Sequence, residues 1–402
     1  MKILQLCHKP PYPPVDGGAL GLHCITEALL TAGHSVRVLS LCSAKHPWLP
    51  QPESYVAATR FEAVDVDLTV RPLPAAVALL CGESYNVKRF YTPAFDARLA
   101  AVLDEEEFDV VQFESIFMAP YLATVRAHSS AAAVVRLHNV EHHLWRRRAE
   151  EEHSPWRRWY LKHLALTLRA YEHELVPQFD GVSTVAPADR DYFAALCPRR
   201  PVVDVPPMVR VHLPSVEPMP ATFYHLGAMD WQPNVAAVHR LAEKIWPDVR
   251  RRCPDARLFL AGRQMPADLM ALRVDGVTVQ GEVPSAEAFI ADKAVNVVPL
   301  SNGSGIRIKI MEAMAAGKAV VGSPTALAGM AGEAGRTWLQ AESDADFVDA
   351  MLRLAQDPAE VQRLGRAAAE TVAARYSPEV VSQLLVSLYD EAIAGRARRQ
   401  TQ

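Results

Sequence analysis

The sequence predicts an α/β protein with two domains, each built on a parallel sheet. Short apolar runs with strand character alternate with stretches of helical periodicity, and glycine, proline or asparagine separates them. The chain has 402 residues, which is more than a single hydrophobic core ordinarily organises and suits two domains of about 200 residues. Residues 205–221 are rich in proline and have no clear period, so they indicate a linker between the domains.

The composition argues against a nucleic-acid-binding protein, which would carry an excess of positively charged residues. Residues of apolar type make up 50% of the chain and the formal net charge is −4, the balance of a globular protein. The six cysteines are scattered, with neither a Cys-x-x-Cys pair nor a Cys/His cluster at zinc-ligand spacing. We therefore expect reduced thiols and no metal site.

No segment has the pattern of a signal peptide or a membrane-spanning helix. The first residues, MKILQLCHKPPYPP, reach His8 and a proline cluster too soon for a signal peptide. No apolar run approaches the ~20 residues that a spanning helix needs. The sequence thus predicts a cytoplasmic protein, and it leaves open a peripheral contact at the inner face of the membrane.

The first domain begins with a strand at 2–7, a helix at 19–32 and a second strand at 34–42. The further strands predicted for this domain are 108–115, 132–139, 179–186 and 201–207. Residues 43–84 mix strand-like pieces with prolines and receive no assignment.

The loop after the first strand carries Gly17 and Gly18 at the helix entrance. A Gly-Gly pair at that place lets backbone amides face an anionic ligand, and a tight turn that needs a positive φ is the alternative explanation. The G-x-G-x-x-G spacing of a dinucleotide-binding loop is absent.

Polar residues follow the buried strand 132–139, where the sequence reads HNVEHH. Ligands of open α/β sheets bind outside the carboxyl ends of the strands, and His138 and Glu141 fall at such an end. A histidine there can orient a hydroxyl or handle charge at a reacting centre. The alternative is a loop histidine whose hydrogen bonds are satisfied within the protein.

Residues 144–175 form a helical pattern that is interrupted at Ser154 and Pro155. Arginines and tryptophans are concentrated in this stretch, a combination that suits an anionic membrane interface or a lipid-linked acceptor. Three consecutive glutamates, 150–152, lie in the same run, so a solvated helix with salt bridges is the alternative.

The second domain repeats the alternation of strands and helices. Its helices are predicted at 235–251 and 344–374, and a terminal helix begins with an N-cap serine at Ser377 and ends before a frayed tail at 397–402. Three of its strands end at or just before a glycine, namely Gly227, Gly262 and Gly281. Arg263 follows the second of these glycines and is a candidate phosphate ligand, with a surface arginine as the alternative.

The segment 295–324, VNVVPLSNGSGIRIKIMEAMAAGKAVVGSP, predicts a strand, a glycine-rich turn and a helix N-terminus. Unpaired amides and the helix dipole make such a turn suitable for an anion such as phosphate. Lys309 and Glu312 lie one turn apart on the helix. By itself the turn is common in α/β proteins, and the two charges could simply pair on the surface, worth about 0.2–0.5 kcal/mol.

The string GIRIKIMEAMAAGKAVV, residues 305–321, resembles the donor-site segment of retaining GT-B glycosyltransferases of family 4, also called group 1. The HNVE loop and the glycine strand ends are similar to that family as well. The resemblance implies the GT-B fold, in which two Rossmann-like parallel-sheet domains face a cleft. It implies an acceptor-side domain at 1–205, a nucleotide-sugar domain at 206–376, and a terminal helix at 377–395 that packs back on the first domain.

The resemblance also assigns roles in donor binding. Glu312 matches the second glutamate of the family's Glu-x7-Glu motif and would accept hydrogen bonds from the ribose hydroxyls. The first glutamate of that motif falls on Ser304. Sugar recognition is then left to the hydroxyl of Ser304 and to the amides of Gly305 and Ile306.

The basic pair that the family places after the first strand of its second domain is missing, since GAMDW contains neither arginine nor lysine. We expect Lys309, Arg307 or Arg263 to supply that charge, and Lys309 is the leading candidate. The resemblance implies that no metal is needed, and positive charge and helix N-termini would stabilise the departing diphosphate instead.

In the first domain, the resemblance implies that His138 contacts the transferred sugar and that Glu141 assists it. It also implies that the amides of Gly17 and Gly18 face the donor diphosphate or the acceptor.

The activity implied is a retaining glycosyltransferase that moves a sugar from a nucleoside-diphosphate donor, UDP or GDP, to a saccharide or lipid-linked acceptor in bacterial surface polysaccharide synthesis. A GT-B epimerase or phosphorylase is an alternative that would need a second catalytic carboxylate or a phosphate pocket. A non-catalytic GT-B scaffold that binds a nucleotide or a partner is another, because Ser304 departs from the family motif.

Overall fold

A computed structural model describes residues 1–303 and 305–400. Its internal contacts divide the chain into two compact units. The first unit comprises Met1–Met208 together with the C-terminal residues from Pro378 onward, and the second comprises Val209–Ser377. Each unit contains a parallel sheet with helices between its strands, so the prediction of two Rossmann-like domains is confirmed.

Within the described residues, the first unit has a seven-stranded sheet with the order β3-β2-β1-β4-β5-β6-β7. Its strands are β1 (Lys2–Cys7), β2 (Ser35–Cys42), β3 (Glu62–Asp65), β4 (Val110–Glu114), β5 (Ala132–Leu137), β6 (Gly181–Thr184) and β7 (Val202–Asp204). Every neighbouring pair is parallel, so the loops after the strands gather at one edge of the sheet.

The helices of the first unit cover the faces of this sheet. They are α1 (Gly17–Thr31), α2 (Glu53–Thr59), α3 (Pro72–Cys81), α4 (Tyr85–Lys88), α5 (Pro93–Glu105), α6 (Leu122–His128), α7 (Glu141–Glu151), α8 (Pro155–Leu175), α9 (Pro187–Leu196) and the terminal α18 (Pro378–Gln400). Short 3₁₀ turns lie at Ile116–Tyr121 and Val176–Gln178. The stretch 43–84, which the sequence pattern left unassigned, supplies α2, β3 and α3.

The terminal helix α18 packs on α1 and on strands β5, β6 and β7 of the first unit. The prediction of a frayed tail at 397–402 is wrong for the described part, because α18 continues to Gln400. Arg396 Nε donates to the carbonyl oxygen of Ser130 at 2.8 Å, and Arg399 pairs with the buried carboxylate of Asp180. These contacts give the polar end of the helix a docking site that its composition alone does not suggest.

The second unit has, among its described residues, a six-stranded parallel sheet with the order β10-β9-β8-β11-β12-β13. Its strands are β8 (Thr222–Leu226), β9 (Arg257–Ala261), β10 (Val277–Gly281), β11 (Val295–Val298), β12 (Ala319–Gly322) and β13 (Leu339–Gln340). Its helices are α10 (Gln232–His239), α11 (Trp246–Arg252), α12 (Ala267–Met270), α13 (Ala286–Ala291), α14 (Ile308–Ala315), α15 (Pro324–Leu327), α16 (Asp344–Gln356) and α17 (Pro358–Tyr376).

Two helical predictions in this unit need correction. The helix expected at 235–251 begins earlier, at Gln232, and contains a π-helical stretch at Arg240–Ile245. The helix expected at 344–374 is two helices that meet at Asp357. The Asp357 side chain accepts the backbone N–H of Glu360 and thereby caps the second helix, while the proline after Asp357 starts it.

The six cysteines, all in the described part of the chain, are free thiols. Within residues 1–303 and 305–400, no helix combines the length and apolarity required to cross a bilayer.

Candidate functional site

His138 lies just beyond β5, beside a buried charge pair. Arg136 Nη1 donates toward Glu114 Oε2 at 3.3 Å, and both residues are almost fully shielded from solvent. The amide groups of Gln5 and Gln112 donate to the other oxygen of Glu114, at 2.9 Å and 2.5 Å. A buried ion pair needs such additional hydrogen bonds because both charges have lost their hydration. We call Glu114 and Arg136 the buried ion pair.

The buried neighbours of Glu114 determine the pKa of its carboxyl. Burial alone would raise the pKa of its carboxyl, but Arg136, His138 and Gln5 outweigh burial and lower the pKa to about 2. Glu114 is therefore an anion throughout the neutral range.

The buried ion pair determines which nitrogen of His138 carries the proton. Arg136 Nη1 is 3.2 Å from His138 Nε2, and a guanidinium can only donate hydrogen bonds. Glu114 Oε2 lies farther from the same nitrogen, at 3.6 Å, so we assign Nε2 as the acceptor of the shorter contact and place the proton of the neutral ring on Nδ1. Burial lowers the pKa of His138, and Arg136 and Lys9 lower it further, against the opposing effect of Glu114. Near pH 7 the ring is thus neutral and can donate a hydrogen bond through Nδ1.

A second histidine, His8, lies against His138 from the loop after β1. The two ring centroids are 5.8 Å apart, and His8 Nδ1 lies 2.8 Å from the carbonyl oxygen of Glu114, to which it donates. Burial and the neighbouring His138 lower the pKa of His8 to about 3, so its ring is neutral as well. Its other nitrogen, Nε2, is then an acceptor. The structure therefore brings one donor nitrogen and one acceptor nitrogen to the same edge of the sheet.

Glu141 begins α7 and has a different set of neighbours from His138. The carboxylate of Glu172 accepts the backbone N–H groups of Glu141 and His142, at 3.0 Å and 3.2 Å. Burial and the negative charge of Glu172 raise the pKa of Glu141 to about 7, and the same two causes raise that of Asp189 to about 6. The charges that act on Glu141 are thus those of an acidic cluster, and not those of the buried ion pair beside His138.

Gly17 and Gly18 are the first residues of α1. Neither has a positive φ, so the tight-turn explanation is wrong. A side chain at Gly18 would place its Cβ 2.5 Å from Lys9 Nζ, which binds Asp16 at 2.7 Å. Asp16 in turn caps the helix by accepting the N–H of Ala19. The helix N-terminus therefore already holds a carboxylate from its own chain, and an anion at Gly17 and Gly18 stays a prediction.

In the second unit, the glycine-rich turn precedes α14 as expected. Gly303 and Gly305 have positive φ values of 132° and 82°, which glycine adopts without strain. Among the described residues, the side chain of Arg307, the N-cap residue of α14, makes no capping hydrogen bond to the first amides of the helix. Ile306 packs against the apolar core beneath the turn. The predicted donor residue Ser304 lies outside the described residues.

Arg307 and Arg263 both lie beside the loop that follows β8. The guanidinium carbon of Arg307 lies 4.8 Å from the centroid of the Trp231 ring, over its face. Arg307 also approaches the glycine-rich turn, since a Cβ built at Gly303 would lie 2.4 Å from Arg307 Nη2. Arg263 Nη2 is 3.6 Å from a carboxylate oxygen of Asp230. The structure thus brings two of the predicted basic residues to one loop.

Lys309 and Glu312 form an ion pair, with 2.7 Å between Lys309 Nζ and Glu312 Oε2. The surface pairing that was the alternative explanation is therefore present. The charge of Glu312 adds to burial in raising the pKa of Tyr224 on β8. The hydroxyl of Tyr224 is buried without a hydrogen-bond partner among the described residues. Roles of Lys309 and Glu312 toward diphosphate and ribose stay predictions.

The strand ends of the second unit approach one another closely. A Cβ at Gly262 would lie 1.7 Å from the carbonyl oxygen of Gly227, so no side chain fits there. The N–H of Gly262 donates to the carbonyl of Gly281 at 2.8 Å. The three glycines predicted at strand ends thus lie side by side at the carboxyl edge of the sheet.

Sequence reasoning missed His8, Glu114 and Arg136. A signal was available for the last two, because each is a charged residue in a mostly apolar strand of a parallel sheet. The two residues are register partners on β4 and β5. Opposite charges inside two adjacent buried strands predict an ion pair as soon as the strand order is known.

Two family models match this chain. The model described as "Glycosyl transferase 4-like domain" matches residues 16–208, and the model described as "Glycosyl transferases group 1" matches residues 220–357. No curated protein sequence matches.

Solved structures share the fold at low sequence identity. Sucrose-phosphate synthase from Thermosynechococcus elongatus is 15% identical with a TM-score of 0.67, covering 98% of this chain and 100% of that one. HepE from Anabaena in complex with UDP is 13% identical with a TM-score of 0.65, and the match covers 97% of this chain and 100% of HepE. A mutant of TarM from S. aureus is 12% identical with a TM-score of 0.65, and the match covers 97% of this chain and 99% of TarM. These likenesses and the two matched halves together show that the chain belongs to the group 1 (family 4) glycosyltransferases of GT-B fold.

Proposed function

We propose that this glycosyltransferase is a retaining enzyme that transfers a sugar from a UDP- or GDP-sugar to a saccharide or lipid-linked acceptor. The observation that carries the proposal is the N-terminus of α14, where the first amides of the helix lie beside the basic residues Arg307 and Lys309. Among the similar structures, HepE was solved with UDP-glucose, and the TarM mutant with UDP and α-GlcNAc-glycerol. By analogy with bacterial enzymes of this kind, we place the reaction in surface polysaccharide synthesis.

The chemistry proposed for the second unit is stabilisation of the leaving diphosphate. Negative charge develops on the diphosphate as its bond to the sugar breaks, and preoriented cations and helix amides stabilise that charge. Lys309 is the first candidate for this role, with Arg307 and Arg263 beside it, and no metal is required. Glu312 would hold the ribose.

The chemistry proposed for the first unit concerns the transferred sugar. The Nδ1–H of His138 would donate to a hydroxyl of that sugar. Glu141, whose pKa is near 7, can exchange a proton near neutral pH and would assist there.

The donor site can be tested by the melting temperature of the full chain in equal excess of UDP, GDP, ADP or CMP. A ligand that binds only the folded state raises the melting temperature, so we expect a clear shift with UDP or GDP. We expect Lys309→Ala to reduce that shift, because one charge facing the diphosphate is lost.

A matched control for Lys309→Ala is Arg251→Ala, which removes another i,i+3 ion pair, at 2.8 Å to Asp248, in the same unit. It should leave the nucleotide shift unchanged. An unaltered shift in Lys309→Ala would refute the role of Lys309, and no shift with any nucleotide would favour a non-catalytic scaffold.

We further propose a peripheral membrane contact through α8. Trp156, Trp159 and Leu166 are 83%, 56% and 64% exposed, and their spacing places them on one face of the helix. Arg157 and Arg158 lie between the tryptophans. Exposed indoles flanked by cations suit the interface of an anionic bilayer.

Sedimentation with vesicles tests the membrane contact. We expect the protein to sediment with phosphatidylcholine/phosphatidylglycerol vesicles, and the double substitution Trp156→Ala/Trp159→Ala to abolish most of that binding. The control Leu213→Ala removes an exposed apolar side chain of the second unit and should have no effect. Equal binding by the double variant would rule out α8 as the contact.

A further inference from the structure

A cavity of about 530 Å³ lies over the edge strand β3 of the first unit, away from His138. Ala63 and Asp65 on β3 and Phe61, immediately before it, are two residues apart along the chain, so their side chains share the face that forms one wall. The loop after β2 forms the other wall, with Ser43 and Trp48 among its lining residues. A volume of this size is typical of a small-molecule site.

The loop is held in place by contacts at several points. The backbone of Trp48 hydrogen-bonds to Cys42, whose thiol donates to Asp65 at 3.1 Å. Ser43 and His46 exchange backbone hydrogen bonds of 3.0 Å. His46 Nδ1 also lies 3.7 Å from a carboxylate oxygen of Asp16, the N-cap residue of α1. The wall that carries Trp48 is therefore connected to the predicted ligand loop at Gly17 and Gly18.

The lining has two chemically different parts. Trp48 is 60% exposed although it lines a concave surface, and Pro47 and Phe61 continue this apolar side. Asp65 and Ser43 place a carboxylate and a hydroxyl at the polar side. A pyranose ring has the complementary division, because its C–H face packs on an indole while its hydroxyls donate to a carboxylate.

We propose that this cavity binds a saccharide unit of the acceptor. The inference rests on the proposed transferase function, because it assigns the ligand to the acceptor side of that reaction. Trp48 stacks on the sugar ring, and Asp65 accepts hydrogen bonds from its hydroxyls. Charge favours a neutral sugar over an acidic one, because the carboxylate of Asp65 would repel a second carboxylate.

Direct binding can be measured on the full chain by the indole N–H signals in NMR. The signal of Trp48 is identified as the one lost in Trp48→Phe. Methyl glycosides of glucose, galactose, mannose and N-acetylglucosamine are added at millimolar concentration, the range expected for a single sugar unit. We expect at least one of them to shift the Trp48 signal saturably, and Asp65→Asn to weaken that binding. If none shifts it, the inference is overturned.

Steady-state kinetics test the same cavity by comparing the KM for the acceptor with the KM for the donor. Trp48→Ala should raise the acceptor KM about tenfold, the factor that loss of an aromatic contact produces, and should leave the donor KM unchanged. Leu49→Ala is the matched control, since it removes a neighbouring exposed apolar side chain that does not line the cavity. An unchanged acceptor KM in Trp48→Ala would overturn the inference.

The two proposals fail in different ways. A nucleotide-induced melting shift without any glycoside effect on Trp48 leaves the transferase proposal intact and removes this site. A saturable glycoside effect on Trp48 without any nucleotide shift removes the transferase proposal and leaves a sugar-binding site.

Discussion

Substitution of Glu114 by alanine is expected to lower the free energy of unfolding by about 3–5 kcal/mol, the cost of breaking a buried ion pair on one side. Arg136 is 1% exposed and would remain in the interior without its counter-charge. The amides of Gln5 and Gln112 would also lose their acceptor. Urea unfolding of the full chain followed by circular dichroism measures the effect.

A double variant separates the unpaired charge from the loss of packing. Glu114→Ala/Arg136→Met removes both charges, and we expect it to recover much of the stability, because no ion is then left buried without a partner. If the double variant is as unstable as Glu114→Ala, the cavity is the cause and the unpaired charge is not.

The same pair gives the stability a dependence on pH. The folded-state pKa of Glu114, about 2, lies below its ordinary value of 4.5. The contribution of the carboxylate is therefore complete above the ordinary pKa and is lost as the pH falls toward 2. Glu114→Ala should remove this part of the acid sensitivity, so the difference in stability between the variant and the natural protein should shrink on acidification.

Substitution of His138 by alanine is expected to lower kcat about 10²–10³-fold, the usual cost of removing one preoriented hydrogen-bond donor at a reacting centre. Burial lowers the pKa of His138, so its ring is neutral near pH 7, and with Arg136 beside Nε2 we assign Nδ1–H as the donor. Turnover of the preferred nucleotide sugar is the measurement. Nucleotide affinity should be unchanged, because Lys309 and Glu312, which are proposed to hold the diphosphate and the ribose, belong to the other unit.

Two variants control the His138 experiment. His138→Asn keeps a side-chain N–H and should retain more activity than alanine. His128→Ala removes an exposed histidine that pairs with Asp104 and should be fully active. Activity of His138→Ala close to that of the natural protein would show that this histidine takes no part in the reaction.

Local sequence patterns were sufficient for much of the fold. Strands β1, β4, β5 and β11 are short runs in which apolar residues predominate, and β10 and β12 end at a glycine. The turn before α14 could be located because the change from a strand pattern to a helical pattern is local. The family likeness of residues 305–321 likewise depends on residue types at fixed spacing.

Other local predictions failed where distant residues decide the outcome. The polar end of α18 is helical because Arg396 and Arg399 reach Ser130 and Asp180, which lie far away in the sequence. The cavity beside Trp48 exists because β3 pairs with β2 and places Asp65 opposite Cys42. No window of sequence around either segment contains these partners.

The sequence by itself determined the alternation of strands and helices, the division into two domains, the family and the position of the glycine-rich turn. Only the tertiary structure decided that Glu114 and Arg136 face each other across adjacent strands and that Arg136 lies 3.2 Å from Nε2 of His138. The physical reason is the distance along the chain over which each effect acts. Periodicity and turn chemistry act over a few residues, whereas a buried charge or a tautomer depends on whichever group the strand order places a few ångströms away.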